Sequence, residues 1–275
     1  MKNAVRQILI GLFAAIFVFS AYSLITYFME IRQSESEYEA LAEMVQQQLE
    51  ETVPEETDAS GQFVPRPSKL VEVTDPDTGE TLRVLQEYAP VYRLNSDLVG
   101  WIKIHDTNID FPVLQNTEYT DYYLKRNFYG QWSNQGAIYV REQCDVNTPS
   151  DNITIYGHRT NAGTMFAQLQ KYKKEEFWQT HSKIRFDTLS SHYTYEIFSV
   201  FLIDATAESG FAYHEFVDAA DKSEFDRFVS QCKDRSLYDT GITPQYGDKL
   251  ITLSTCHGDS TVGRLVVVAR RSPNQ

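Results

Sequence analysis

The hydrophobic positions of this 275-residue chain fall into three patterns. Residues 8–28 form an uncharged, largely apolar run of 21 residues, long enough for a helix that crosses about 30 Å of hydrocarbon. Residues 34–51 place apolar side chains at helical spacing among glutamates and glutamines, which predicts a polar helix with one narrow apolar seam. Beyond about residue 85, short β-branched runs predict strands.

These runs predict about eight strands in the C-terminal two thirds of the chain. The predicted strands are near residues 98–104, 109–115, 136–140, 152–156, 183–189, 192–204, 250–256 and 264–270. The clearest helix covers residues 218–236, with Asp221 and Glu224 as a cap and an inward face of Phe225, Phe228, Val229 and Cys232. Shorter helical segments are predicted at 121–127 and 164–172. Many strands with few helices predict a mainly β fold, a closed or nearly closed β-barrel with peripheral helices.

The N-terminal run predicts a membrane anchor. Lys2 and Arg6 precede it and an acidic segment follows, so the positive-inside rule places the N-terminus in the cytoplasm and the remainder outside the cell. A cleaved signal peptide is the alternative, but its apolar core is usually only about 7–15 residues long. We therefore expect a single-pass protein with these divisions: a cytoplasmic tail at 1–7, a transmembrane signal-anchor at 8–28, an acidic helical stalk and linker at 29–84, and a globular domain at 85–275.

The charge distribution narrows the range of partners. The formal net charge is −13, which argues against a nucleic-acid partner because phosphate binding needs a basic face. Residues 30–60 alone carry ten carboxylates against a single arginine. The expected globular part is therefore only mildly acidic, and its partner need not be basic.

The cysteines single out one position. Three cysteines allow at most one disulfide, so at least one thiol stays free. Cys144 lies in a polar loop, and Cys232 lies on the apolar face of the predicted helix, where a small buried residue is expected. Cys256 instead ends an apolar strand just before a polar loop, and Arg264 opens the next strand. Cys256 is the candidate nucleophile.

A thiol nucleophile needs a base or an imidazolium partner. His158 follows Gly157 directly at the end of a predicted strand, where a strand delivers a side chain to the rim of a barrel. His105, His181 and His192 lie in polar turns and are expected to be solvated. His214 lies in an aromatic loop, where it would line a groove or simply pack.

Together Cys256, His158 and Arg264 predict acyl transfer. The thiolate would attack a peptide carbonyl, the histidine would move protons, and the arginine would stabilise the oxyanion or hold substrate. A metal site at Cys256, His257 and Asp259 is disfavoured, because no C-x-x-C or H-x₃-H pair accompanies them. We expect neither a metal nor an organic cofactor.

The stretch Thr252-Leu-Ser-Thr-Cys256 with Arg264 eight residues on, and Ile155-Tyr-Gly-His158 upstream, resembles the sortases, membrane-anchored cysteine transpeptidases of Gram-positive bacteria. The resemblance covers about residues 85–272 and is closest to class B, which carries a substantial helix between its sixth and seventh strands. It implies an eight-stranded sortase barrel in which Cys256, His158 and Arg264 are catalytic. It also implies a sorting-signal groove lined by Leu124, Ser254, Thr255, Tyr213 and His257.

The resemblance further implies a reaction. The enzyme would cleave a surface protein's C-terminal sorting signal after its Thr, hold the protein as a thioester on Cys256, and transfer it to an amine of a cell-wall precursor. Three alternatives remain open: a pilin-polymerising sortase with a pilin lysine as acceptor, a purely hydrolytic cysteine peptidase, and a non-enzymatic adhesin. The sorting pentapeptide and the acceptor amine are not specified by the sequence.

Overall fold

The computed structural model describes residues 2–50, 69–160, 162–204, 210–256 and 263–273. Within these ranges the helices are α1 (Lys2–Glu50), α2 (Ala89–Tyr92), α3 (Glu175–Thr180) and α4 (Lys222–Arg235). The strands are β1 (Leu70–Thr74), β2 (Thr81–Leu85), β3 (Leu98–Lys103), β4 (Asp110–Leu114), β5 (Ile138–Val140), β6 (Asn152–Tyr156), β7 (Lys183–Thr188), β8 (Thr194–Asp204), β9 (Leu250–Cys256) and β10 (Gly263–Arg271). Short 3-10 helices occur at Gln86–Tyr88, Tyr122–Lys125, Phe166–Lys173 and Tyr213–Glu215.

Strands β3 to β10 close into a barrel in the order β10-β8-β7-β3-β4-β5-β6-β9. Most neighbours are antiparallel, but β4 with β5 and β6 with β9 are parallel. The predicted eight-stranded barrel with peripheral helices is confirmed. The β6–β9 pair matters most, because parallel strands bring their carboxyl ends to the same edge of the barrel.

The continuous apolar run of β10 is explained by burial on both faces. Leu265, Val267 and Ala269 point into the barrel core, whereas Val266 and Val268 pack outward against α4. Helix α4 begins after Asp221, whose carboxylate accepts a hydrogen bond from the Glu224 amide at 2.9 Å. Such a cap is worth about 0.5–2 kcal/mol. The predicted inward face of α4 is buried as expected.

Helix α1 corrects the expected stalk. It is one continuous helix, and none of its most apolar N-terminal stretch is buried within the protein, which suggests a membrane anchor. The acidic part does not stand away from the domain. Its side chains at helical spacing are buried against the barrel and the 3-10 helix at Gln86–Tyr88; they are Ile31, Ser34, Tyr38, Leu41, Val45 and Leu49.

The expected linker also differs from the structure over the part that is described. Residues 51–68 lie outside the described residues. Strands β1 and β2 form a two-stranded antiparallel sheet from Leu70 to Leu85, and Gly79 (φ +75°) occupies the left-handed turn between them. The folded part therefore begins before residue 85.

His192 is a further correction, because its side chain is only 17% exposed rather than solvated. Its Nδ1 lies 2.9 Å from the Asp187 carboxylate, and its Nε2 lies 3.2 Å from the Glu87 carboxylate. Asp187 also accepts a hydrogen bond from Tyr88 Oη at 2.5 Å and pairs with Arg185 at 2.5 Å. This set is called the buried ion cluster below. It joins β7 to the 3-10 helix at Gln86–Tyr88.

Candidate functional site

A cleft of about 270 Å³ opens at the barrel edge where β6 and β9 end. It brings together residues that are far apart in the chain. Its lining is Asp121, Leu124, Tyr139, Tyr156, Gly157, His158, Tyr213, His214, Ser254, Cys256 and Arg264. The three side chains predicted to be catalytic therefore share one cleft.

Strand pairing places the thiol beside the guanidinium. Cys256 ends β9 and is the cross-strand partner of Arg264 near the start of β10. Side chains of directly opposed residues in an antiparallel pair lie on the same face of the sheet. Ser254, two residues before Cys256, shares that face and also lines the cleft.

The parallel pairing of β6 with β9 brings His158 to the same edge. Tyr156 at the end of β6 pairs with Ser254 of β9, so the two chains reach His158 and Cys256 two residues later. The Gly157 amide donates to the Ser254 carbonyl at 3.2 Å, which extends the pairing. Gly157 itself is required, because a Cβ there would lie 2.5 Å from Ile138 and 2.6 Å from Phe166.

A backbone carbonyl orients the His158 ring. His158 Nε2 lies 2.7 Å from the Leu124 carbonyl oxygen. A carbonyl oxygen can only accept, so Nε2 carries the proton and Nδ1 of the neutral ring is left as the acceptor. Gly136 packs under the same ring, because a Cβ at this position would lie 2.9 Å from His158 Cδ2 and 2.7 Å from the Leu124 carbonyl oxygen.

Burial lowers the pKa of His158 below its ordinary value. The hydrogen bond to Leu124 raises the pKa in part, while the positive charges of Lys125 and Arg264 lower it further. The imidazole is therefore held mainly neutral near neutral pH and is ready to accept a proton.

One wall of the cleft is built from tyrosines. Tyr213 Oη and Ser254 Oγ lie 2.8 Å apart, and burial raises the pKa of Tyr213. Tyr139 donates to Asp121 at 2.8 Å and its ring lies 5.4 Å from that of Tyr156. These bonds hold the wall in one arrangement around the thiol.

Of the five predicted substrate-binding residues, the structure places three in the lining of the cleft. Leu124, Ser254 and Tyr213 line the cleft. Thr255 is buried, and strand alternation turns it to the opposite face of β9. His257 lies outside the described residues.

Five lining residues were not among the predicted site residues. They are Asp121, Tyr139, Tyr156, Gly157 and His214. The sequence could have indicated Tyr156, because it ends the predicted strand that leads to His158. For His214, lining a groove is one of the two positions that the sequence predicts. Asp121 and Tyr139 come from other elements, so only the fold brings them to the cleft.

The other two cysteines are poor nucleophiles. Cys144 is buried, and burial raises the pKa of its thiol to about 11. Cys232 lies on the buried face of α4, and burial raises the pKa of its thiol well above the ordinary value. Within the ranges that the structure describes, no three His, Cys, Asp or Glu side chains gather as a metal site would require.

Comparisons with known proteins agree with this geometry. The family model described as Sortase domain matches residues 102–272. Sortase B of Listeria monocytogenes is 34% identical over 186 residues, covering 67% of this chain and 73% of that protein. Sortase B of Staphylococcus aureus is 29% identical over 189 residues, covering 68% of this chain and 75% of that protein.

A solved structure gives the same result. The crystal structure of sortase B from Bacillus anthracis superposes with a TM-score of 0.68 at 30% identity, covering 89% of this chain and 98% of that chain. The fold, the cleft at the barrel edge and the matches in sequence and structure lead to one conclusion: this chain belongs to the sortase family of cysteine transpeptidases, and within it to class B.

Proposed function

We propose that Cys256, His158 and Arg264 form the catalytic site of this transpeptidase. The single observation that supports the proposal most strongly is that one cleft contains all three, with Cys256 and Arg264 as cross-strand partners. Cys256 is half-buried, whereas Cys144 and Cys232 are buried. Only its thiol can meet a peptide in that cleft.

In the first step the Cys256 thiol passes its proton to His158 Nδ1, the nitrogen left as acceptor by the bond to Leu124. The thiolate attacks the carbonyl carbon of the scissile peptide bond and forms a tetrahedral intermediate. Its oxyanion is stabilised by the Arg264 guanidinium, which is permanently charged. The C–N bond then breaks, the departing amine takes the proton from His158, and a thioester remains on Cys256.

In the second step an acceptor amine attacks the thioester carbonyl. The amine loses a proton to His158, the C–S bond breaks, and the Cys256 sulfur leaves as a thiolate and regains a proton. The products are a new amide bond and the original enzyme. If the acceptor amine attacks the thioester, the result is transfer; if water attacks it, the result is hydrolysis.

The proposed donor is a surface protein that carries a C-terminal sorting signal cleaved after its Thr, and the proposed acceptor is an amine of a cell-wall precursor. Leu124, Tyr213 and Ser254 would contact the signal, because they line the cleft beside Cys256. Thr255 would contribute to signal binding only through its main chain in β9, because its side chain lies on the opposite face of the strand. His257, directly after the nucleophile in sequence, is proposed as a further contact.

We also propose how the protein is placed in the cell. Residues 8–28 span the membrane once, residues 1–7 stay in the cytoplasm with Lys2 and Arg6, and the domain lies outside. The charge asymmetry supports this orientation, because the segment after the span is acidic. The reaction then takes place at the outer surface, where sorting signals and cell-wall precursors meet.

The test is a partition experiment with full-length protein in detergent. Labelled sorting-signal peptides are incubated alone and with one of three acceptors, an oligoglycine, a diaminopimelate-type amine or a pilin peptide with a free lysine, and products are separated by mass. Transpeptidation predicts an amide product that grows with amine concentration at the expense of the hydrolysed product. Hydrolysis at every amine concentration would identify a peptidase, and transfer only to a pilin lysine would identify a pilin-polymerising enzyme.

A further inference from the structure

An exposed aromatic loop lies beside the N-terminal helix. This loop, residues 126–134, is called the aromatic loop below. Trp132 is 73% exposed and Tyr129 is 46% exposed. Large aromatic side chains of this kind are costly to leave in water, since each carries an apolar surface of about 150–250 Å². Their exposure on a well-bonded loop therefore points to a contact outside the protein.

The aromatic loop is clamped to α1 by side chains of the helix. Glu30 accepts hydrogen bonds from the Asn134 amide at 2.5 Å and from Asn134 Nδ2 at 3.1 Å. Glu37 accepts from Asn127 Nδ2 at 3.0 Å, and Asn127 Oδ1 in turn accepts from the Tyr129 and Gln131 amides. The loop is thus fixed at both ends to one side of α1.

These contacts set the height of the loop relative to the apolar span. The span ends at residue 28 and Glu30 follows two residues later on the same continuous helix. At a helical rise of about 1.5 Å per residue, Glu30 lies about 3 Å beyond the end of the span. The polar interfacial layer on each side of a bilayer is about 5–8 Å thick, so the end of the loop that is bound to Glu30, next to Trp132, lies at its level.

We infer that the aromatic loop is a second membrane contact, in which Trp132 inserts into the headgroup layer of the bilayer that α1 crosses. This inference rests on the proposed membrane anchor. Tryptophan and tyrosine are enriched at membrane interfaces because their rings are apolar at one end and polar at the other.

The contact would connect the bilayer to the cleft. Tyr38 of α1 donates to the Gly136 carbonyl at 3.3 Å, just beyond the loop. Gly136 packs against the Leu124 carbonyl and the His158 ring. The Ser133 amide also donates to the Lys125 carbonyl at 3.0 Å, next to Leu124. A bilayer that holds the aromatic loop would therefore hold the segment that orients His158.

Tryptophan quenching tests this contact with the full-length chain. The chain is reconstituted in vesicles of phosphatidylcholine and phosphatidylglycerol whose acyl chains are brominated near the headgroups, and emission is compared with unbrominated vesicles. The chain has three tryptophans, of which Trp101 is buried in the barrel. We expect bromine to quench the wild type, and Trp132→Phe to lose most of that quenching. Trp178→Phe should keep it, because Trp178 is a half-buried residue of α3 that packs against Tyr238.

Carbonate extraction separates the two ways in which the result could fail. If the chain stays with the vesicles but Trp132→Phe and wild type are quenched equally, the loop contact is overturned and the anchor stands. If carbonate releases the chain, the anchor is overturned and the loop contact falls with it. Retention together with Trp132-dependent quenching supports both.

Discussion

Two histidine–arginine clusters in this barrel are built in opposite ways. In the buried ion cluster, His192 lies between the carboxylates of Asp187 and Glu87, and Arg185 pairs with Asp187. In the cleft, His158 is oriented by the uncharged Leu124 carbonyl, and Arg264 lies opposite a half-buried thiol. The first arrangement compensates charge within the protein and holds two elements together. The second places an imidazole whose pKa is lowered and a guanidinium at the edge of the cleft, where the proposed reaction would develop charge.

The pKa shifts in the two clusters show the same contrast, because one cluster favours a charged group and the other a neutral group. Burial alone would raise the pKa of Asp187, but the Arg185 guanidinium and the hydrogen bond to His192 hold it well below its ordinary value. Burial lowers the pKa of His158, so that site favours the neutral form. A charge that is already paired stabilises the fold, whereas a site that binds a transition state must offer donors to a charge not yet present.

The largest expected effect on stability comes from Asp187→Asn. Removing one partner of a buried ion pair leaves Arg185 uncompensated, so we expect unfolding free energy to fall by about 3–5 kcal/mol. Urea titration measures it. Lys222→Ala is the matched control, because the Lys222–Asp226 pair is 66% and 48% exposed and such a pair contributes about 0.5 kcal/mol or less. Equal losses in the two variants would contradict a stabilising role for the cluster.

Arg264→Lys tests the cleft side of the comparison. Lysine keeps the charge but loses the planar fork, so kcat/KM for peptide cleavage should fall about 10²- to 10³-fold, a typical cost of losing an oxyanion donor. The unfolding midpoint should stay near that of the wild type. Arg270→Lys, on the same strand but paired with Glu196 at 3.1 Å, should retain cleavage activity. Equal losses of activity in both variants would show that Arg264 acts only through the fold.

Tyr213→Phe should have a smaller effect. It removes the hydroxyl that lies 2.8 Å from Ser254 Oγ in the cleft wall, and a neutral hydrogen bond contributes about 1 kcal/mol. Urea midpoints measure the loss. Tyr246→Phe is the control, because that ring is 49% exposed and should cost little. A Tyr213→Phe protein as stable as the control would show that this bond does not support the wall.

The smallest expected effect is a pH dependence. The pKa of His158 is lowered in the folded state, so as pH falls below about 6.5, the unfolded chain takes up the proton first. The stability contribution is complete above that pH and is lost on acidification. His158→Gln should therefore flatten the decline in unfolding free energy between neutral pH and pH 5. Burial also lowers the pKa of His214, so the double variant should be flatter still. Identical slopes in wild type and His158→Gln would contradict the assignment.

Strands and catalytic candidates could be predicted from local sequence. The Leu250–Cys256 and Gly263–Arg271 runs predict strands by composition alone, and a thiol at one strand end with an arginine opening the next is a pattern of neighbouring residues. His158 was predicted because it follows a strand directly. The pairing of β6 with β9, which brings His158 to Cys256, depends on barrel topology; the resemblance to sortases implied that these residues act together but not which strands pair.

The remaining features depend on distant partners. The seam of Tyr38, Leu41 and Val45 predicted a helix, but spacing within a helix does not say what the seam contacts, and a stalk was expected instead. His192 was expected to be solvated because its neighbours in sequence are polar. Tyr88, which donates to Asp187, lies 99 residues from it in the chain. Such burial results from tertiary packing, so it cannot be predicted from the neighbouring residues in the sequence.

The most direct test of the central claim is intact mass spectrometry of the full-length chain with a sorting-signal peptide and no amine. The account predicts a covalent increment equal to the N-terminal peptide fragment, located on Cys256 by digestion, removed by added amine, present in Cys144→Ala and absent in Cys256→Ala. An adduct located on Cys144, or cleavage that persists in Cys256→Ala, would contradict it.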